Sequence, residues 1–207
     1  MSYYNSDSIE ANLEYQKGLE AQKSGNNSAA LSLYEKALES FPKSADVWFN
    51  VGVVRANLNQ IDEAIMAFMM SYNYEPRPEA LYNAAYYHVK LEEFTTALRL
   101  LSKCLQMKPD FSHALYLYAF TLLKLGKDAE AYQGYSKVLE REPENIAALF
   151  ERGLVSMRLN HIAKAITDFK KVKSIDAHYK DVDEWLRKAD SNLETQQRLG
   201  RATREFA

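Results

Sequence analysis

Residues 45–76 read ADVWFNVGVVRANLNQIDEAIMAFMMSYNYEP. Val47, Val51 and Val54 recur at helical spacing, and so do Ile61, Ile65 and Phe68. Between the two runs Asn57 to Gln60 form a short polar break. Pro76 follows the second run by a few residues, where it stops a helix without removing an internal hydrogen bond. The stretch predicts two helices joined by a tight turn.

The same layout returns along the chain. Pro42, Pro76, Pro109 and Pro143 stand 34, 33 and 34 residues apart. Ala30, Ala64, Ala97, Ala131 and Ala165 keep that period. So do the small residues Gly18, Gly52, Ala85, Ala119 and Gly153, and the large residues Tyr34, Phe68, Leu101, Tyr135 and Phe169. Further polar breaks fall at Gly25-Asn26-Asn27, Glu92-Glu93, Gly126-Lys127 and Asn160-His161. Four rows on one ruler make internal repetition the organising fact of the 207-residue chain. The rows have a packing reason. Two helices in a tight hairpin approach closely only where a side chain is missing, so Gly or Ala faces Ala, and a large residue one turn along fills the space beside it.

Composition narrows the function classes. Hydrophobic residues make up 47% and charged residues 26%, as in ordinary globular proteins. Seven Gly and five Pro argue against a loop-rich or collagen-like design. A formal charge of -2 and a pI near 6.1 lack the basic excess of a nucleic-acid binder. Cys104 is the single cysteine, so no internal disulfide forms. The first residues, MSYYNSDSIE, carry no basic and apolar leader pattern, and no run approaches about 18 apolar residues, the length a membrane span needs. The expectation is a soluble cytoplasmic protein with no membrane insertion.

The spacing small–x11–Ala–x3–aromatic–x7–Pro resembles that of the tetratricopeptide repeat family. On this resemblance five repeats occupy 11–44, 45–77, 78–111, 112–145 and 146–178, more than three quarters of the chain. Trp48 is the only Trp at the family's first aromatic position; Glu14, Leu81, Leu115 and Leu149 stand there in the other repeats. Ala177 replaces the fifth Pro, so that repeat's second helix is expected to run on or to turn differently. Residues 179–198 read as an amphipathic helix with Val182, Trp185, Leu186 and Ala189 on one face, a cap for the last repeat. Residues 1–10 and 199–207 read as flexible ends. The resemblance implies an all-α fold, a right-handed superhelical solenoid of antiparallel helix pairs.

Chemistry is sparse. There is no GxGxxG, GxxxxGK[ST], HExxH or GxSxG motif. His88, His113, His161 and His178 have no metal-ligand spacing. Cys104 stands at a core position and reads as an inert thiol. Met66, Met69 and Met70 share a helix and read as packing. No catalytic residue, metal or cofactor is expected.

The family resemblance implies that the first helices line a concave groove. Counted from each repeat's first residue, the fifth position is Tyr15, Phe49, Tyr82, Tyr116 and Phe150, all aromatic. The ninth is Leu19, Val53, Tyr86, Phe120 and Leu154, all apolar. The sixth is Gln16, Asn50, Asn83, Leu117 and Glu151. In the family a carboxamide here often holds a peptide backbone, pairing with an N–H and a C=O together. The thirteenth is Lys23, Asn57, Lys90, Lys124 and Arg158. Its cations either complement the helix dipole or form a ladder that favours an acidic-aromatic segment. The candidate peptide-binding residues are Tyr15, Phe49, Asn50, Val53, Tyr82, Asn83, Tyr86, Lys90, Tyr116, Phe120, Lys124 and Phe150. The basic residues of a chaperone-type carboxylate clamp do not line up; Tyr15, Leu19, Glu79 and Asn83 stand in their frame.

The expected function is a non-catalytic adaptor that binds a peptide segment of a partner protein in this groove. The alternatives are a self-assembling scaffold, in which Tyr3, Tyr4, Asp7 and Glu10 enter a neighbour's groove, and a regulatory subunit of a separate enzyme. Homo-oligomers fit the first alternative. Neither nucleic acid nor a cofactor enters any of these readings.

Overall fold

A computed structural model describes residues 12–205, with side chains to 199. The expected flexible segment 1–10 and the last two residues of the expected tail lie outside the described residues. Among the described residues are eleven α-helices and no strand: α1 (Leu13–Lys23), α2 (Asn27–Ser40), α3 (Ala45–Asn57), α4 (Ile61–Tyr74), α5 (Pro78–Lys90), α6 (Phe94–Met107), α7 (Ser112–Lys124), α8 (Asp128–Arg141), α9 (Ile146–Arg158), α10 (Ile162–Ile175) and α11 (Val182–Glu205). A 3-10 turn, Tyr179–Asp181, precedes α11. The chain forms two compact units that divide between Pro109 and Asp110. The first holds three hairpins, α1–α2, α3–α4 and α5–α6. The second holds α7–α8, α9–α10 and α11. Within each unit, helices adjacent in sequence pack together.

Every hairpin turns the same way. Gly25, Asn59, Glu92, Gly126 and Asn160 are all left-handed, with φ of 78°, 61°, 59°, 74° and 61°. In the second hairpin the Asn59 N–H donates to Ala56 O at 3.0 Å and the Gln60 N–H to Arg55 O at 2.9 Å. The other four turns repeat both bonds. This pair satisfies carbonyls that a helix end would otherwise leave orphaned. Side-chain caps start α1, α2, α3 and α9: Asn12, Asn26, Ser44 and Asn145 accept from the N–H three residues on.

The packing rows behave as expected. The alanine row is fully buried, and so are Tyr34, Leu101, Tyr135 and Phe169. A Cβ at Gly18, Gly52 or Gly153 would lie 2.5, 2.8 or 2.6 Å from the ring of Tyr34, Phe68 or Phe169. The fourth repeat solves the same problem from the other side. Its small residue is Ala119, and α8 makes room with Gly134, whose Cβ would stand 2.7 Å from that of Ala119. Cys104 is fully buried, and its Sγ–H donates to Pro78 O at 3.2 Å.

α10 does not run on. It stops at Ile175, at 14 residues like the other second helices, without a proline. Asp176 turns extended at φ -145° and ψ 107°. The helix expected over 179–198 starts at Val182, because Lys180 and Asp181 are left-handed at φ 42° and 53°. It continues through the expected tail to Glu205. Val182, Leu186 and Ala189 are buried against the second unit's last hairpin, so the predicted face is the packed one. Among the described residues no helix is long and apolar enough to cross a membrane.

Candidate functional site

The fifth-position residues form ring pairs inside their own hairpins. Tyr15 meets Tyr34 at 5.9 Å between centroids, Phe49 meets Phe68 at 5.4 Å, Tyr116 meets Tyr135 at 5.5 Å and Phe150 meets Phe169 at 5.7 Å. The third repeat has Leu101 where the others have a second ring, and Tyr82 is half-buried. The row therefore belongs partly to the hairpin cores. Tyr15 and Phe150 are buried, while Phe49, Tyr82 and Tyr116 are half-buried. Aromatic pairs in such tilted and edge-on geometries add about 0.5–1.5 kcal/mol beyond their buried area.

In the first unit the sixth and ninth positions complete a surface on α1, α3 and α5. Asn50 Nδ2 donates to Tyr15 Oη at 3.1 Å, which ties α3 to α1. Asn83 Nδ2 donates to Glu79 O at 2.8 Å, one turn back on α5. Each amide thus spends a donor inside the chain, and no described donor reaches either Oδ1. Val53 and Tyr86 are half-buried beside them. Lys90 is exposed and folds back, its Nζ 4.9 Å from the Tyr86 centroid and 5.5 Å from that of Tyr87. Tyr87 itself stacks on Phe68 at 6.1 Å. Tyr87 is not among the residues the sequence singles out. Its signal was the Tyr86-Tyr87 pair, which puts one ring on each side of the helix edge. Burial raises the hydroxyl pKa of Tyr82 and Tyr87, so both remain hydrogen-bond donors across the neutral range.

In the second unit Phe120 is half-buried with the Lys124 ammonium 5.2 Å from its ring centroid. The thirteenth-position cations do not share one role. Lys90 and Lys124 cover ninth-position rings, while Arg158 pairs with Asp128 at 2.9 Å. Phe150 is covered by Phe169 and by Tyr179 and Trp185, whose centroids lie 5.5 and 6.4 Å away. Glu151, at the sixth position, is bonded by Lys180 Nζ at 2.9 Å. Burial of Tyr116, with the Glu151 carboxylate nearby, pushes its hydroxyl up to about 12.

Among the described residues no group of three His, Cys, Asp or Glu could hold a metal. His88 Nδ1 lies 2.6 Å from Glu93 Oε2 at the end of α5, a local pair beside the turn. Burial, helped by Glu79, pushes the Cys104 thiol up to about 11, the opposite of an activated nucleophile.

Comparison with known proteins agrees with this architecture. Three family models, each described as tetratricopeptide repeat, match residues 15–72, 88–150 and 146–179. Among solved structures, the MamA protein is 19% identical and superposes with a TM-score of 0.74, over 81% of this chain and 94% of that one. YrrB, described as a TPR protein with an unusual peptide-binding site, is 21% identical with a TM-score of 0.74, over 90% and 97%. MamA from residue 41 to its end, of Desulfovibrio magneticus RS-1, is 18% identical with a TM-score of 0.75, over 82% and 96%. No curated protein matches by sequence. At such identities the structural likeness concerns the fold. Five helical hairpins on one period, closed at the C-terminal end by a further helix and matched by these models, place the chain in the tetratricopeptide repeat family.

Proposed function

We propose that this chain is a non-catalytic interaction adaptor that holds a peptide segment of a partner protein against its first-helix side chains. One observation carries the reading. On α3 and α5, Phe49, Asn50, Val53, Tyr82, Asn83 and Tyr86 lie half-buried, between the hairpin cores and open solvent, and among the described residues no donor takes the acceptor of either amide. Such a surface offers apolar area, tyrosine hydroxyls and backbone-matching amides together, and aromatic anchors carry much of the binding energy of protein interfaces. The peptide-binding description of YrrB, a neighbour in fold, supports the same use. Lys90 over Tyr86 adds a cation at one end, which favours an acidic or aromatic segment.

Affinity capture from native lysate tests the reading, comparing wild type with the Asn50→Ala, Asn83→Ala double variant. A protein held by the wild type and lost by the variant, at unchanged helicity, is the expected result. An identical set of captured proteins would place partners elsewhere and overturn it.

A further inference from the structure

The fifth repeat already holds something at its peptide-binding positions, and it is the chain's own Tyr179-Lys180. The Tyr179 ring packs edge-on against Phe150, the fifth-position residue, at 5.5 Å and 72°. The Lys180 ammonium pairs with Glu151, the sixth-position residue, at 2.9 Å, and sits 5.1 Å from the Phe150 ring centroid. With Phe169 and Trp185 also against the ring, Phe150 is 3% exposed, and the Glu151 side chain is 13% exposed. The other repeats carry Gln, Asn, Asn and Leu at the sixth position. The carboxylate stands only where a cation is delivered to it.

The backbone that delivers Tyr179 and Lys180 is not in a conformation of its own choosing. Lys180 and Asp181 are consecutive non-glycine residues in the left-handed region, at φ 42° and 53°. Such residues persist there when surrounding contacts over-determine them. The Tyr179 and Lys180 contacts on Phe150 and Glu151 are among those that surround this turn. A ligand tethered by three residues from the end of α10 acts at a high effective concentration, so a contact that is weak between separate molecules still fills the site.

We infer that Tyr179-Lys180 is a tethered ligand, and that the Phe150–Glu151 site is a second binding site selective for an aromatic residue followed by lysine or arginine. A partner segment of that chemistry competes with Tyr179-Lys180 for the site. The inference rests on the proposed function in placing a ligand on fifth- and sixth-position side chains, but it concerns the second unit alone.

The test uses full-length protein and a fluorescein-labelled synthetic peptide of residues 177–184, AHYKDVDE, read by fluorescence polarisation. The Tyr179→Ala, Lys180→Ala variant uncovers only the faces of Phe150 and Glu151 that these two side chains occupy, and should bind the peptide at least about ten-fold more tightly than wild type, as expected on removing a tethered competitor. Adding Glu151→Gln to that variant should abolish the gain, and a peptide with glutamate in place of its lysine should not bind. Lys180→Ala alone removes a half-exposed ammonium and leaves Tyr179 packed, so it keeps the fold intact and should give a smaller gain in the same direction. Equal peptide affinity in wild type, Lys180→Ala and any folded double variant would overturn the inference and leave the turn a structural cap. Asn50 and Asn83 are unchanged in every protein used here, so failure of the lysate capture and failure of this test are separate results.

Discussion

Glu92 shows how strongly the repeat imposes itself on single residues. Five turns need a left-handed residue at one register, and the chain supplies two Gly, two Asn and one Glu. Gly takes that conformation without steric cost and Asn with little, but a longer side chain costs roughly 1–2 kcal/mol. Part of that cost returns as unfolded-state entropy when Gly is introduced. Glu92→Gly should therefore stabilise the protein by about 0.5–1 kcal/mol, whereas Asn59→Gly changes it little. Urea unfolding of the two variants measures the difference, and a destabilised Glu92→Gly would show that the glutamate contributes contacts of its own. The turn at Gly25-Asn26 is legible from its residues, because Gly and Asn mark turns by themselves. The turn at Glu92-Glu93 is legible only through the period. Asn50 is the opposite case. Its register marks it as a candidate, but its bond to Tyr15 lies 35 residues away in sequence and no local pattern announces it.

Helix pairs carry interactions that amphipathic patterns conceal. Arg152 on α9 makes a bidentate pair with Asp168 on α10, Nε to Oδ2 at 2.9 Å and Nη2 to Oδ1 at 2.7 Å, and its Nη1 donates to Ser136 Oγ at 3.2 Å. The Asp168 side chain is 5% exposed and that of Arg152 22%. The hydrogen bond and charge of Asp168 outweigh burial and hold the guanidinium pKa above its ordinary value. Arg152→Ala would strand a buried carboxylate and should cost about 3 kcal/mol, near the low end for such pairs because the guanidinium keeps some solvent. Replacing the two together, Arg152→Met with Asp168→Leu, should return stability to within about 1 kcal/mol of wild type. Guanidinium chloride unfolding at fixed pH separates the two cases, and equal losses would refute the pairing argument. The ring pairs are better marked in the sequence. Fifth-position rings and the large second-helix residues share one period, so both rows were visible. That they meet each other, and so draw the fifth row half into the core, depends on the tilt between the helices of a hairpin.

Over the whole chain, burial of proton-bearing groups sets an alkaline limit to stability. Burial pushes the Cys104 thiol from 9.0 to about 11 and the Tyr116 hydroxyl from 10.0 to about 12, and raises Tyr34 and Tyr135 further. Each of these groups binds its proton more tightly when folded. Their contribution is complete below the unfolded-state values and is lost as pH rises through the folded ones. Thermal melts should hold steady on the alkaline side up to about pH 9 and then fall, and Cys104→Ala should delay the onset of that fall. A melting temperature flat from pH 9 to pH 11 in wild type would contradict it. The sequence alone is enough for the hairpin, its period, the polar breaks at its turns, the buried packing rows and a further amphipathic helix after the last repeat, though not for that helix's bounds. Each of these follows from spacing within one or two helices, which a chain with strong local periodicity states openly. The state of the candidate surface belongs to the folded chain. Which rings are spent on the core, which amide donors are already taken, and that Tyr179-Lys180 fills the last repeat all require side chains distant in sequence to meet. Periodicity gives the register of such meetings, and packing alone settles how much of each side chain a partner can still touch.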